Sequence, residues 1–563
     1  MRWKRSRMLF ATSIATILTL SVSLNIGHAL PKRALGKSTF PSTRKLLTVR
    51  PYLPYLEYLE KDTLEKDRAP PQKQATVIDA ISIIAGTSIG GGFLALPFAT
   101  APAGFVPSSI GLVACWFFLV GCGLTFAEVT IARLASEKDP ASANISVLSV
   151  AESAGGQAFG LLAGLLFAVR CLCTLGAQDS KAGDLVGMAL EGLGLSSIPF
   201  PLAVALPAVG AGLLTFKVPP RLLDKVNTVL TGGLLVSFAA IVACGAQQGL
   251  DLSLLQRADW QVLLPRFAST AGAAAAAQQT AAVGLEWCIP VFLQLLCFME
   301  VIPVVCARLG PQRPQEIQKA VVAGSLLPLF MCLAWSAVAA GLVPFDPSLA
   351  GQVASDPINI LLRSGLPIRV PVTCLAAGAI GTTLIGTYLT CSVFASDLAG
   401  KLRGHNVASD ADKKLGQVAT VALPVLLALG GPKVFYTLTA FAGSLLYVLW
   451  GLIPAVSALA LKKKQRQQAE ERVAREVQLC AATAAVQRPP PGMAAAAEAR
   501  AEGAVAGDVD WSVLLLGNTV GGSNGDKKQP AMTMLPGDVA SLVALIGVAC
   551  VLIVSNAMIQ LRF

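Results

Sequence analysis

Histidine is almost absent from this sequence of 563 residues, and charged residues make up only 14% of it. The two histidines, His28 and His405, have no cysteine or carboxylate neighbours at the spacing of metal ligands, which argues against a histidine-based zinc site. So little charge, beside 54% hydrophobic residues, lies far from the composition of soluble domains. We therefore predict a membrane protein, not an enzyme with histidine or cysteine–histidine chemistry, and no resident metal or cofactor.

Cysteine and basic residues are more frequent, but they do not change this interpretation. Twelve of the 13 cysteines fall inside apolar segments, where cysteine behaves as a small hydrophobic residue, so we expect no disulfide framework. The net charge of +11 comes from Lys and Arg that stand between apolar runs and form no single amphipathic face. The expected partner is the lipid bilayer and not nucleic acid, and the sequence indicates no oligomeric state.

Apolar runs long enough to cross roughly 30 Å of bilayer hydrocarbon recur about eleven times. They lie near residues 81–97, 107–134, 158–177, 199–216, 226–246, 287–306, 319–343, 371–396, 416–430, 434–461 and 536–557. The loops between them are alternately rich and poor in Lys and Arg, as expected when the rich side is cytoplasmic, and Lys181 is assigned to a poor loop. This pattern predicts an all-α membrane protein with about eleven transmembrane helices.

The N-terminal region is typical of targeting sequence. Residues 1–29 have the basic start, apolar run and small-residue end of a signal peptide, and residues 30–75 begin with a transit-like stretch that continues into a linker. Together they resemble the two-part presequences of proteins sent into plastids of secondary endosymbiotic origin. The alternative is an ordinary signal anchor with a tail. The expected location is thus a plastid membrane, or otherwise the plasma membrane or an endomembrane.

The remaining chain divides by composition into three parts. Residues 76–461 hold ten of the eleven apolar runs and form the expected membrane core. Residues 462–533 are charged, Ala-rich and Pro-containing, which indicates a soluble insertion, disordered apart from a helical start. Residues 534–563 carry the last apolar run and a short tail.

The first apolar run, Ile81–Pro97, is predicted to be a helix that breaks. Glycines remove the Cβ that favours helical backbone angles, and hydroxyl side chains can replace missing backbone partners. Within a bilayer such a break is tolerated only where the freed backbone groups face protein, water or a ligand. The alternative is a face of small residues used for close helix packing. The candidate binding residues are Ala85, Gly86, Thr87, Ser88, Gly90, Gly91 and Gly92.

A second predicted break lies in the sixth run, which is bracketed by Pro290 and Pro303 and carries Glu300 in apolar sequence. A carboxylate at a helix centre costs about 2.5–3.5 kcal/mol on insertion scales, so such residues pair or line a pathway. Glu300 is expected to meet a substrate ammonium, to carry a proton, or to pair with Arg170. Glu128 and Arg170 are interpreted in the same way, and a structural pair between these two is a further alternative.

Both predicted breaks also carry a family resemblance. The stretch AGTSIGGGFLALP from Ala85 matches every fixed position of the pattern AGT-x-IG-x-G-x-LA-x-P, and so resembles the first helix of the tryptophan/tyrosine permeases. The stretch from Val301 to Trp335 resembles plant and algal members across helices six and seven. Those members have an aromatic residue and a histidine where this chain has Met299 and Glu300. This difference lies at the expected substrate site, so the substrate and the coupling ion of the family do not carry over to this chain on the resemblance alone.

The resemblance implies a fold of two inverted five-helix repeats, with broken first and sixth helices, plus one extra helix. It implies secondary active transport of a neutral amino acid, tryptophan or tyrosine, coupled to H⁺ or Na⁺. Phe298 would then join Glu300 and the first break in the binding site, within an apolar ring that also includes Phe93. The alternatives are a transporter of another amino acid, or a channel or sensor on the same fold.

Overall fold

The computed structural model describes residues 76–136, 147–192, 194, 198–260, 285–346, 356–363, 367–403 and 409–486. The predicted targeting segments, the insertion beyond residue 486 and the predicted last span lie outside the described residues. The described part contains helices and turns but no strand. The prediction of an all-α membrane protein is confirmed.

The helices follow one another along the whole described chain. The first half contains α1 Val77–Ser88, α2 Leu96–Thr100, α3 Phe105–Ser136, α4 Val147–Gly192, α5 Phe200–Lys217, α6 Pro220–Gln248 and α7 Leu252–Gln256. The second half contains α8 Leu285–Leu296, α9 Ile302–Leu309, α10 Pro314–Leu342, α11 Pro357–Arg363, α12 Arg369–Leu402, α13 Asp410–Ala428, α14 Val434–Leu446 and α15 Ile453–Val486. A π-helical turn, Tyr447–Leu452, joins the last two.

Eight helices of the described residues are long and apolar enough to cross a membrane, or nine when α1 and the segment Gly91–Thr100 are taken as one bent span. Helix α13 has 19 residues and is not among these nine. The predicted number of eleven is therefore not confirmed. The described chain contains two broken helices, α1–α2 and α8–α9, at the two places where breaks are predicted.

The first break lies at Ile89–Gly90, between α1 and a 3₁₀ turn at Gly91–Ala95 that leads into α2. Helix α1 begins at a capping box, in which Thr76 Oγ1 accepts from the Asp79 N–H at 3.2 Å. It ends at Ser88, Ile89 and Gly90 take extended conformations, and the chain then resumes with a bend of 46°. The glycine run favours this end, because glycine destabilises a helix interior by about 0.5–1 kcal/mol relative to alanine.

The second break lies at Cys297–Phe298, between α8 and a 3₁₀ turn at Met299–Val301 that leads into α9. Phe298 leaves the helical region with φ −128° and ψ 6°. Pro303 stands in the first turn of α9, where a missing N–H costs nothing. The break therefore falls between the two prolines, as the sequence predicts.

Helix α4 is central to the packing, since it contacts α5, α12, α13, α14 and α15. It extends well beyond the predicted span 158–177, and it bends at Gly156, where φ is +79°. The assignment of Lys181 to a loop is wrong. This residue lies inside α4 and is 1% exposed, because its ammonium group finds acidic partners within the protein.

The last described helix, α15, begins in the membrane-spanning core and continues to Val486. Residues 463–479 of this helix are exposed. The helical start expected for the 462–533 segment thus extends for about seven turns.

Candidate functional site

The backbone of the first break contacts two other helices. The Gly91 N–H donates to Thr383 Oγ1 of α12 at 2.7 Å. A β-carbon added at Gly91 would lie 1.9 Å from Gln178 Oε1 of α4, and one added at Gly90 would lie 2.6 Å from Thr383 Oγ1. A larger residue at either position would have to displace a polar side chain, and Thr383, which also accepts from the Gly91 N–H, has less freedom to move than the longer Gln178. The Gly91 N–H, expected to face a ligand, is bonded to protein in this conformation.

The residues just before the first break form the C-terminal end of α1. Thr87 and Ser88 turn their hydroxyls back to the carbonyls of Ile83 and Ile84, both at 2.9 Å. The last four carbonyls of any helix lack intrahelical partners, and the negative end of the helix dipole lies beside them. Gly86 and Thr87 are exposed, whereas Ala85 and Ser88 are buried. This end of α1 can attract a cation or an ammonium group.

Aromatic residues near the breaks are packed in the protein core. The Phe93 ring stacks on Trp335 of α10 with centroids 6.1 Å apart, and Trp335 Nε1 donates to the Phe93 carbonyl at 3.2 Å. Phe298 is 2% exposed, and its ring lies 2.8 Å from the position of a β-carbon on Gly123 of α3. In this conformation neither ring faces an open pocket.

At the second break, Glu300 forms an ion pair with Arg170 of α4. The Arg170 side chain is 10% exposed and that of Glu300 is 40% exposed, so the pair is open on the glutamate side. Arg170 Nε is buried and has no hydrogen-bond partner among the described residues. The pair thus offers a carboxylate and an unused guanidinium donor at one place.

Glu128, the third embedded charge, lies elsewhere. Its carboxylate is 3.9 Å from Lys462 Nζ, near the point where α15 leaves the core. The structure therefore brings Arg170 and Glu300 together and places Glu128 beside Lys462.

Helix α4 presents a polar face to both breaks, which we define as Arg170, Thr174 and Gln178. These residues are spaced four apart, so they lie on one side of the helix. Arg170 pairs with Glu300, Thr174 Oγ1 accepts from Gln294 Nε2 of α8 at 3.3 Å, and Gln178 meets the first break. The sequence alone did not single out four of these contacting residues: Thr174, Gln178, Gln294 and Thr383. The polar face could have been predicted from the spacing of its residues, because polar residues four apart in an apolar helix lie on the same side.

A second buried polar group lies toward the opposite end of α4 from the second break, and we call it the Lys181 cluster. Lys181 Nζ is 3.1 Å from Asp356 Oδ2, 3.2 Å from Asp184 Oδ2 and 3.0 Å from Asn359 Oδ1. The hydroxyl of Tyr436 on α14 donates to the same Asp356 oxygen. The cluster ties α4 and α14 to the connection between α10 and α12, at the side where loops are poor in basic residues.

Comparison with known proteins decides the family of this chain. The sequence model that describes the tryptophan/tyrosine permease family matches residues 73–481 of this chain. The chain belongs to the tryptophan/tyrosine permease family. Its members are transport proteins, so the chain is an integral membrane transport protein and no catalytic activity is indicated. The matched region contains both breaks and the whole polar face of α4.

Individual relatives are distant but cover most of the chain. A tryptophan-specific transport protein of Pseudomonas aeruginosa is 24% identical over 417 residues, which span 70% of this chain and 88% of that protein. Tyrosine-specific transport system 2 of Haemophilus influenzae is 26% identical over 390 residues, with 67% and 85% covered. Among solved structures, Mhp1, a nucleobase-cation-symport-1 family transporter, has 14% identity and a TM-score of 0.43, covering 68% of this chain and 78% of that one.

Proposed function

We propose that this protein is a secondary active transporter that moves a neutral aromatic amino acid, tryptophan or tyrosine, together with a cation. Family membership supports the substrate class, as do the relatives described above, which are tryptophan- and tyrosine-specific transport proteins. The observation that carries the proposal is the ion pair of Arg170 and Glu300 at the second break, since a free amino acid also carries one charge of each sign.

In the proposed binding mode, the amino acid inserts its two charges at this pair. Arg170 uses its unpartnered Nε to hold the substrate carboxylate, because a guanidinium has several donors in a fixed fork. Glu300 accepts from the substrate ammonium. The carbonyl end of α1 at the first break offers a second place for a positive charge. No covalent step is needed, and alternating access follows from movement of one repeat against the other around the two breaks.

Counterflow in proteoliposomes tests the transport mechanism. Vesicles loaded with unlabelled tryptophan are diluted into labelled tryptophan, without any ion gradient. A carrier exchanges the two and transiently concentrates the label inside, whereas a channel only equilibrates it. Transient accumulation is the expected result. Simple equilibration would favour the channel alternative, and no movement of label would favour a sensor or a different substrate.

The replacement of a family histidine by Glu300 favours a second candidate, a transporter of another amino acid on the same site. An acid at this position attracts a positive charge, and a cationic side chain would supply one in addition to the ammonium group. Inhibition of labelled tryptophan uptake by excess lysine would indicate this second candidate, whereas inhibition by tyrosine alone supports the first.

We also propose a plastid membrane as the location, on the two-part composition of residues 1–75. Fusion of this segment to a fluorescent protein in an alga with secondary plastids tests it. Fluorescence around the plastid is expected, and fluorescence at the plasma membrane or endoplasmic reticulum would replace this location by the alternatives.

A further inference from the structure

Helix α4 carries a buried carboxyl group, Asp179, next in sequence to the glutamine that approaches the first break. This carboxyl group takes no part in the site described so far. Asp179 follows Gln178 on α4 and is 0% exposed. Its Oδ1 accepts a hydrogen bond from the Tyr388 hydroxyl of α12 at 3.4 Å. Its Oδ2 is buried and has no hydrogen-bond partner among the described residues.

Among the described residues, the charged and titratable groups around Asp179 do not include a cation for it. Lys181, on the same helix, directs its ammonium to Asp184, Asp356 and Asn359. From α12 the neighbouring group is Tyr388, whose phenol is neutral at pH 7, and from α5 the nearby polar group is the Ala208 carbonyl, which also accepts from Tyr388. Within the described ranges, no salt bridge reaches Asp179.

An ionised carboxylate without a counter-charge is far costlier to bury than a neutral carboxylic acid. A proton on Oδ2 removes the charge, and with it the largest part of the cost of burying this group. In the conformation described, Asp179 is therefore expected to be the neutral acid.

The position of Asp179 connects its protonation to the first break. Its neighbour Gln178 touches Gly91, and Tyr388 is on the same helix as Thr383, which holds the Gly91 N–H. Asp179 thus lies at the interface of α4 and α12, the two helices whose side chains contact the first break. A movement of the break that separates α4 from α12 would admit water to this carboxyl and let it lose its proton.

We propose that Asp179 is the proton-binding residue of this transporter. The inference rests on the proposed function and deepens it, because it selects H⁺ over Na⁺ as the coupled cation. One proton adds to Asp179 Oδ2 from water on one side of the membrane and leaves from the same oxygen to water on the other side. No bond other than this O–H bond forms or breaks, and no redox partner is required.

Infrared spectroscopy of the purified protein at neutral pH tests the protonation state without any substrate. The C=O stretch of a neutral carboxyl group is expected in the wild type and is lost in Asp179→Asn. The matched control is Asp184→Asn, on the same helix, whose side chain is 15% exposed and paired with Lys181; this variant keeps the band. An identical band in wild type and Asp179→Asn would overturn the proposal.

A second variant covers the case in which Asp179→Asn does not fold. Tyr388→Phe keeps the acid but removes its hydrogen bond, so the band is expected to move to higher frequency. A band that stays at the same frequency in this variant would assign the neutral carboxyl to another residue and overturn the proposal.

Proton movement in proteoliposomes tests the coupling. With a pH-sensitive dye inside the vesicles, tryptophan entry into wild-type vesicles is expected to acidify the interior. Asp179→Asn is expected to lose this acidification while it retains tryptophan counterflow. The coupling role would be overturned if Asp179→Asn vesicles acidified as much as wild-type vesicles. It would also be overturned if the wild-type protein took up tryptophan without moving protons. Absence of tryptophan transport in wild type would instead refute the proposed function, and the infrared band would still decide the state of Asp179.

Discussion

Neutralising Glu300 tests whether this residue binds substrate or only stabilises the fold at the second break. In Glu300→Gln the shape is kept, but Arg170, only 10% exposed, loses its counter-charge. Breaking a buried ion pair costs about 3–5 kcal/mol, and an exposed pair contributes about 0.2–1 kcal/mol. Because the Glu300 side chain is 40% exposed, we expect an intermediate loss of stability, about 1–3 kcal/mol.

The same variant also removes the proposed contact to the substrate ammonium. A hydrogen bond to a charged group contributes about 1.5–3 kcal/mol, which corresponds to a rise in KM of about 10- to 150-fold. Initial uptake rates in proteoliposomes give KM, and thermal unfolding in detergent gives the stability change.

The double variant Arg170→Gln/Glu300→Gln distinguishes the two effects. Stability should partly recover in it, because no uncompensated charge stays buried, whereas KM should stay high, because the substrate has lost both partners. A Glu300→Gln protein with wild-type KM would refute the binding role. Recovery of both stability and KM in the double variant would show that the pair is structural only.

Three further predictions test the packing around the breaks. Gly91→Leu should abolish uptake yet leave a membrane-inserted protein, because a β-carbon there already meets a side-chain oxygen of α4 at 1.9 Å; Gly210→Leu on the exposed face of α5 is the control and should transport normally. Lys181→Met should lower stability by about 3–5 kcal/mol, since Asp356 stays buried without its cation; unchanged thermal unfolding would contradict this. Thr383→Val removes the acceptor of the Gly91 N–H and should cost about 1–3 kcal/mol with reduced uptake; wild-type stability and uptake would show that the bond is dispensable.

The breaks could be predicted from sequence because their causes are local. Small residues at Gly90–Gly92 and the prolines at 290 and 303 stand within apolar runs, and the chain leaves the helical conformation in both places. The meeting of Arg170 with Glu300 was one of the stated alternatives. Two opposite charges inside apolar helices must find partners, but which partners meet depends on how the helices pack.

Other features depend on contacts distant in sequence, so no local pattern indicates them. Lys181 looks like the charged end of a span, yet it is buried because Asp356, 175 positions later, neutralises it. Phe93 was expected to face a pocket, but its contact with Trp335, 242 positions later, places it in the core. Helical periodicity shows which residues share a face, while only the packed structure shows which neighbour that face meets.

We propose that an aromatic amino acid binds at the Arg170–Glu300 pair and is carried against its own gradient. The most direct measurement is the accumulation of labelled tryptophan in proteoliposomes under an imposed proton or sodium gradient, with excess unlabelled tyrosine, leucine, serine or lysine as competitors. We expect accumulation that tyrosine inhibits best and lysine hardly affects. Efficient inhibition by lysine, or no tryptophan uptake under either gradient, would contradict it.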